Sequence, residues 1–77
     1  MSQTSRQGIK EHDVVALTCD LPEEGLLRGQ VGTVVDVLAP GVFEVEFSDT
    51  QGRAYAQAPI TDGKLMLLHY APGQEAA

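Results

Sequence analysis

The run Phe43-Glu-Val-Glu-Phe47 constrains the fold most, because it alternates strictly between apolar and acidic side chains. A period of two puts Phe43, Val45 and Phe47 on one face of an extended strand and the two glutamates on the other. Such a strand must bury its apolar face against other elements. Helical spacing of apolar residues does not occur through residues 13–59, so we do not expect a helix to supply that cover. The sequence therefore predicts an all-β protein.

Four further runs are rich in β-branched residues or alternate between apolar and polar side chains. They cover residues 13–19, 30–39, 53–58 and 65–70. Turn-forming residues separate the runs: Pro40-Gly41 suits a tight hairpin turn, and Pro59 is expected to end the fourth strand. A 3₁₀ turn is expected near residues 60–64. Five short strands with four breaks between them predict a small closed sheet.

The length of the chain limits it to one domain. A chain of 77 residues buries only about 60% of its unfolded surface, so we expect marginal stability. The single cysteine, Cys19, cannot form an internal disulfide, and with two histidines it falls short of a four-ligand zinc site. We expect the folded domain to span residues 9–70, between flexible segments at residues 1–8 and 71–77.

The alternating positions define a predicted core. Its members are Val15, Leu17, Val34, Val37, Phe43, Val45, Phe47 and Leu65. The second run has no clean period of two, so either both of its faces are partly buried or it bends at a bulge near Gly32. The Gly29-x-x-Gly32 spacing lacks the Lys-Ser/Thr pair of a phosphate-binding loop. We therefore expect Gly29 to permit a turn and Gly32 to permit a close strand crossing.

Charge narrows the range of partners. The chain carries eleven acidic and five basic residues, for a net charge of −6. Residues 13–63 hold nine of the acids against only Arg28 and Arg53. Phosphate contacts need clustered lysine and arginine, so this balance disfavours nucleic acid and anionic membrane surfaces as partners. We expect Arg53 to pair with Glu44 or Glu46 across a hairpin.

The chain shows no membrane-targeting pattern. No stretch approaches the roughly 20 apolar residues of a spanning helix, and the polar first ten residues lack the apolar region of a secretory signal. A lone cysteine is ordinary in a reducing compartment. We therefore expect a cytoplasmic protein.

Several segments together resemble a known family. They are Asp13-Val-Val, Leu21-Pro-Glu23, Gly29-Gln-Val-Gly32-Thr-Val-Val35, Glu44-Val-Glu-Phe47 and a closing Leu65. The combination, over roughly residues 9–68, is similar to small uncharacterised prokaryotic proteins with an "LPE" motif, within the SH3-like barrels of the KOW kind. The resemblance implies a five-stranded SH3-like barrel and no known chemistry, since that family is a domain of unknown function. The chain departs from the family pattern after Leu65, where an apolar stretch replaces a polar Arg-Pro-type step.

The loop at residues 20–29 carries a concentration of acidic side chains. They are Asp20, Glu23 and Glu24. These carboxylates lack the regular spacing of a calcium loop. The alternatives are a contact surface for a basic protein partner and a solvated loop that Leu21, Leu26 and Leu27 pin to the core.

The last strand carries apolar side chains on both of its faces. A barrel has one interior, so one face of this strand must meet something else. We expect self-association through Met66, Leu67 and Tyr70, at the exposed face or at the open edge of the strand. The rival is that this stretch covers the barrel end or receives the N-terminal segment.

Catalytic chemistry has few candidate residues. A nucleophilic pair of Cys19 with His12 or His69 is disfavoured, because Cys19 shares a predicted strand face with Val15 and Leu17 and is expected to be an inert apolar residue there. We therefore expect no enzyme activity, no cofactor and no metal. The sequence favours a non-catalytic protein-interaction or assembly module that forms a homo-oligomer. The alternatives are a KOW-like nucleic-acid-associated domain and a small-ligand or metal-binding barrel accessory to an enzyme.

Overall fold

A computed structural model describes residues 7–69 as an all-β domain with five antiparallel strands in one sheet. The strands are β1 (Val14–Leu17), β2 (Val31–Ala39), β3 (Val42–Ser48), β4 (Ala54–Thr61) and β5 (Leu65–Leu67). They lie in the order β4-β3-β2-β1-β5, and each neighbouring pair is antiparallel. The predicted all-β class with five strands is confirmed. The expected flexible tail at residues 71–77 and most of the segment at residues 1–8 lie outside the described residues.

Two short 3₁₀ turns complete the described elements. One spans Pro22–Glu24 in the long loop between β1 and β2, and the other spans Asp62–Lys64 between β4 and β5. The second agrees with the 3₁₀ turn expected near residues 60–64. In the long loop, Leu26 is buried and Leu21 packs against the core, whereas Leu27 is exposed. Two of the three leucines therefore pin the loop.

The core lies on one face of the curled sheet and draws a residue from every strand. Its buried members are Ile9, Val15, Leu17, Leu26, Val34, Phe43, Val45, Phe47, Ala58, Ile60 and Leu65. The alternation of β3 is realised as predicted, with Phe43, Val45 and Phe47 inside. Burial of a phenylalanine is worth about 1.5–3 kcal/mol, so the two rings are major contributors to a domain this small.

The prediction that Val37 lies in the core is wrong. Val37 faces Phe43 across the β2–β3 ladder, yet 43% of its surface is exposed. The reason is the length of β1, which begins at Val14 opposite Thr33. Beyond that point β2 has β3 on one side and, among the strands of residues 7–69, none on its other side, so Val37 lacks lateral cover.

The prediction that Pro59 ends the fourth strand is also wrong. β4 continues through Pro59, which lies opposite Glu44, and reaches Ile60 in the core. Because β4 is the last strand of the sheet, one side of its backbone has no ladder. A proline, which lacks an N–H group, is tolerated at such an edge.

The two glycines of the Gly29-x-x-Gly32 segment permit a backbone turn and a close strand contact. Gly29 has a φ of 91°, in the left-handed region that suits a turn before β2. Gly32 is buried opposite Phe47 on the neighbouring β3, and a Cβ at Gly32 would lie 2.7 Å from Val45 Cγ1 and 2.8 Å from the Glu46 carbonyl oxygen. The two register shifts between β2 and β3 fall between Val34 and Asp36 and between Val37 and Ala39 rather than at Gly32. Gly32 is therefore the point of close strand approach, and the register shifts lie further along.

The turn between β3 and β4 is organised by Asp49. Its Oδ1 accepts hydrogen bonds from the backbone N–H groups of Gln51 (2.8 Å) and Arg53 (2.9 Å). The other carboxylate oxygen, Oδ2, lies 3.3 Å from Arg53 Nε. Arg53 therefore pairs with Asp49 in its own turn, and the expected pairing with Glu44 or Glu46 is wrong. An acceptor four residues away in the same turn is closer than one on the neighbouring strand.

We expect Gly32→Ala to destabilise the domain by about 1–3 kcal/mol, because the added methyl group would overlap the backbone and side chains of β3. Gly63→Ala is a matched control, since a Cβ at Gly63 meets no atom within 4 Å. That control should change the free energy of unfolding by less than about 0.5 kcal/mol. Urea denaturation of both variants measures the difference. Equal stability of the two would contradict the close approach.

We expect the contribution of Asp49 to stability to depend on pH. The backbone N–H of Arg53, followed by that of Gln51, holds the pKa of the Asp49 carboxyl below its ordinary value of 3.8. A carboxyl whose pKa is lower in the folded chain stabilises it fully above the unfolded value and loses that effect as pH falls through the folded value. Asp49→Ala should therefore be less stable than wild type at pH 7, and the difference should shrink below pH 3.8. An NMR titration of Asp49 with a midpoint above 3.8 would disprove this assignment.

Candidate functional site

An apolar row crosses three strands on the outer face of the sheet. Ala16 lies opposite Val31 of β2 on one side and opposite Met66 of β5 on the other. Since their strand neighbours Val15, Leu17 and Leu65 point into the core, these three side chains point outward. Met66 is 49% exposed and Val31 is similarly open, whereas Ala16 is covered by its two longer neighbours.

This row forms the floor of a shallow groove. Leu68 extends the apolar floor beyond Met66, and Thr18, Arg28 and Gly29 lie at the groove as well. The groove has a volume of about 560 Å³. Arg28 places one cationic side chain beside a surface that is otherwise mostly apolar, and its guanidinium has no ion-pair partner among residues 7–69. We name this surface the Met66 groove.

The residues predicted for self-association divide between the two faces of β5. Met66 points outward into the Met66 groove. Leu67 packs partly buried against the core, as a neighbour of Val15 on β1. Tyr70 lies outside the described residues. Of the two apolar faces of β5, the one that contains Met66 is therefore the face left without cover.

The edge of β5 that faces away from β1 is covered by a side chain from the N-terminal segment. We call it the free edge because no strand of residues 7–69 pairs with it. Met66 lies opposite Ala16 of β1, and the backbone of Leu65 and Leu67 faces away from β1. The Gln7 amide bonds both groups: its Nε2 donates to the Leu65 carbonyl (2.8 Å), and its Oε1 accepts from the Leu67 N–H (2.9 Å). A side-chain amide thus occupies the position of a strand backbone. This contact has no signal in the sequence, where Gln7 lies in a polar segment without periodicity.

The structure separates the three acidic residues of the long loop. The Asp20 carboxylate accepts a hydrogen bond from the Arg28 backbone N–H (2.8 Å), which ties the two ends of the loop together. Glu23 and Glu24 lie on the 3₁₀ turn instead, at a cleft of about 140 Å³ that Lys64 also lines. Asp20 therefore has a loop-closing contact, and only Glu23 and Glu24 share a surface.

A further acidic surface lies on the outer side of β2 and β3. Asp36 is directly opposite Glu44, and Glu46 follows on the same face of β3. The Glu44 carboxylate accepts a hydrogen bond from the Gln57 side chain (2.9 Å). Arg53, the nearest arginine in sequence, is engaged with Asp49. The part of the outer face that β2 and β3 form is therefore negatively charged.

The structure does not bring Cys19 to either histidine. Cys19, which is half-buried, follows the C-terminal end of β1, whereas His12 precedes its N-terminal end. His69 lies at that N-terminal end too, because the preceding Leu68 bonds Val14. At about 3.3 Å per residue, the length of β1 separates the thiol from both imidazoles. Within residues 7–69, no group of three His, Cys, Asp or Glu side chains could hold a metal ion.

In the described part of the chain, no helix is long and apolar enough to cross a bilayer.

Comparison with known proteins identifies a family. A family described as a domain of unknown function, DUF4926, matches residues 11–67. Neither a curated protein nor a solved structure matches the chain. Because the family match covers β1 through β5 and well over half of the sequence, the chain belongs to the DUF4926 family.

Proposed function

We propose that this chain is a non-catalytic protein-interaction and assembly module that contacts a second copy of itself through the Met66 groove. The observation that carries the proposal is the apolar row in which Met66 and Val31 are exposed on either side of the covered Ala16. Since Met66 is 49% exposed, covering the rest of it is worth about half of the roughly 1.5–3 kcal/mol of a full burial. A domain of this size gains relatively more from added burial than a large one does.

We further propose that the domain is a small SH3-like barrel and that its LPE segment, Leu21-Pro-Glu23, anchors the long loop. Support for the barrel comes from the two edge strands. Ile60 of β4 and Leu65 of β5 pack into the same core, so the sheet curls until its outermost strands share one interior. Leu21 supports the role of the LPE segment, because it forms a β-bridge with the buried Leu26.

A basic protein is a second partner that the charges favour. Glu23 and Glu24 project from the 3₁₀ turn at the 140 Å³ cleft, and neither forms an ion pair in the part of the chain that the structure describes. They could therefore receive lysine or arginine side chains without first losing an internal partner. Interfacial charges of this kind contribute more to association rate and specificity than to affinity.

The KOW-like nucleic-acid role is the weaker candidate. The face formed by Asp36, Glu44 and Glu46 would repel a phosphate backbone. Tyr55, an exposed aromatic that could stack on a base, has its hydroxyl bonded to Gln30 Nε2 (3.1 Å) and its ring 6.4 Å from that of Phe47. A gel-shift assay at low and high salt tests this role, which requires a salt-dependent complex.

We expect the wild-type protein to form a reversible dimer that Met66→Lys weakens at least tenfold, because a buried ammonium at the groove floor would have no partner. Leu38→Lys is the matched control. Leu38 has the same 49% exposure as Met66 but lies at the far end of β2, away from the groove. Sedimentation equilibrium across micromolar concentrations measures both. A wild type that stays monomeric, or equal effects of the two variants, would contradict the proposed self-assembly.

A further inference from the structure

The free edge of β5 is complementary to itself. Within residues 7–69, Leu65 and Leu67 direct backbone groups to this edge, among them the Leu65 carbonyl as an acceptor and the Leu67 N–H as a donor. A two-fold axis beside Met66 would place Leu67 of one chain opposite Leu65 of the other in antiparallel pairing. Each donor would then meet the acceptor of the other copy, as in a hydrogen-bonded antiparallel pair.

The side chain between these two residues fits the same arrangement. Met66 points to the outer face, so a two-fold axis at the edge would bring the Met66 side chains of the two copies side by side. The two grooves would join into one apolar surface across the paired strands. A three-residue edge is too short to bury the roughly 800 Å² per partner of a standard interface, and the joined grooves supply additional area.

The Gln7 amide occupies this edge within a single chain. Its two hydrogen bonds to Leu65 and Leu67 take up the donor and acceptor that pairing between copies would use. Ile9, two residues later, is buried in the core and holds the segment near β5. An intramolecular amide at high local concentration competes with the edge of a second molecule.

We propose that the β5 edge is a docking site for β5 of a second copy and that Gln7 covers it in the single chain. The inference rests on the proposed assembly function for the identity of the partner and adds how that assembly is limited. Displacement of Gln7 would extend the sheet across the two-fold axis. The strength of self-association is then set by competition between the Gln7 side chain and the second chain.

Gln7→Ala tests the inference, because it removes the cover and leaves every strand intact. We expect its dimer dissociation constant to be at least tenfold lower than that of wild type in sedimentation equilibrium. Gln57→Ala is the control, since it removes an exposed glutamine on β4 that bonds Glu44 at the end of the strand order away from β5. That variant should self-associate as wild type does. A cooperative urea transition verifies that both variants are folded.

Hydrogen exchange at the Leu67 amide locates the contact. In Gln7→Ala this amide should exchange rapidly in dilute solution and slowly at concentrations where the dimer forms. A folded Gln7→Ala that self-associates no more than wild type, with a Leu67 amide that exchanges rapidly at every concentration, overturns the inference.

The same measurements separate this inference from the proposed function. A wild type that remains monomeric while Gln7→Ala dimerises supports the docking edge and removes self-assembly as the function of the intact chain. A wild-type dimer that depends on Met66 but is unchanged by Gln7→Ala supports the function and overturns the role of the edge.

Discussion

The close approach of β2 to β3 at Gly32 is the constraint on which the rest of the structure depends. With a hydrogen atom in place of a side chain, β2 can lie against Val45 and Phe47 while it pairs with β1 on its other side. β2 is the central strand, so this close approach lies in the middle of the sheet. The outermost strands β4 and β5 both contribute side chains to one core, which a flat sheet of five short strands would not allow.

Strands alone do not close so small a core. Ile9 from the N-terminal segment and Leu26 from the long loop are both buried among the strand residues. In a chain of 77 residues the ratio of surface to interior is high, so segments outside the sheet must contribute apolar side chains. This requirement explains why the long loop is bound at its base by the Asp20 contact to Arg28 and by the pairing of Leu21 with Leu26.

The order of residue types along the chain predicts the features that depend on neighbouring residues. The alternation from Phe43 to Phe47, the turn at Pro40-Gly41 and the need for glycine at position 32 follow from residue types and spacing, and the structure agrees with them. The sequence predicts Val37 in the core, but its exposure depends on where the neighbouring β1 begins. Met66 lies on the last strand, as the apolar run predicts, and its outward orientation follows from the register with Ala16. The role of Gln7 could not be predicted, because it arises from a contact between residues 60 positions apart.

The two edge strands of the sheet, β4 and β5, are kept from pairing with another chain in different ways. The difference determines which edge can take part in assembly. On β4, Pro59 removes a backbone donor permanently, so no partner strand can form a regular ladder there. On β5 the donor and acceptor remain intact and are only covered by the Gln7 amide. The missing N–H group of a proline cannot be restored. A pair of hydrogen bonds worth about 0.5–1.5 kcal/mol each can be exchanged for an equivalent pair from another chain. Of the two sheet edges, the β5 edge therefore combines protection in the single chain with the capacity to pair, and it adjoins the apolar groove floor at Met66.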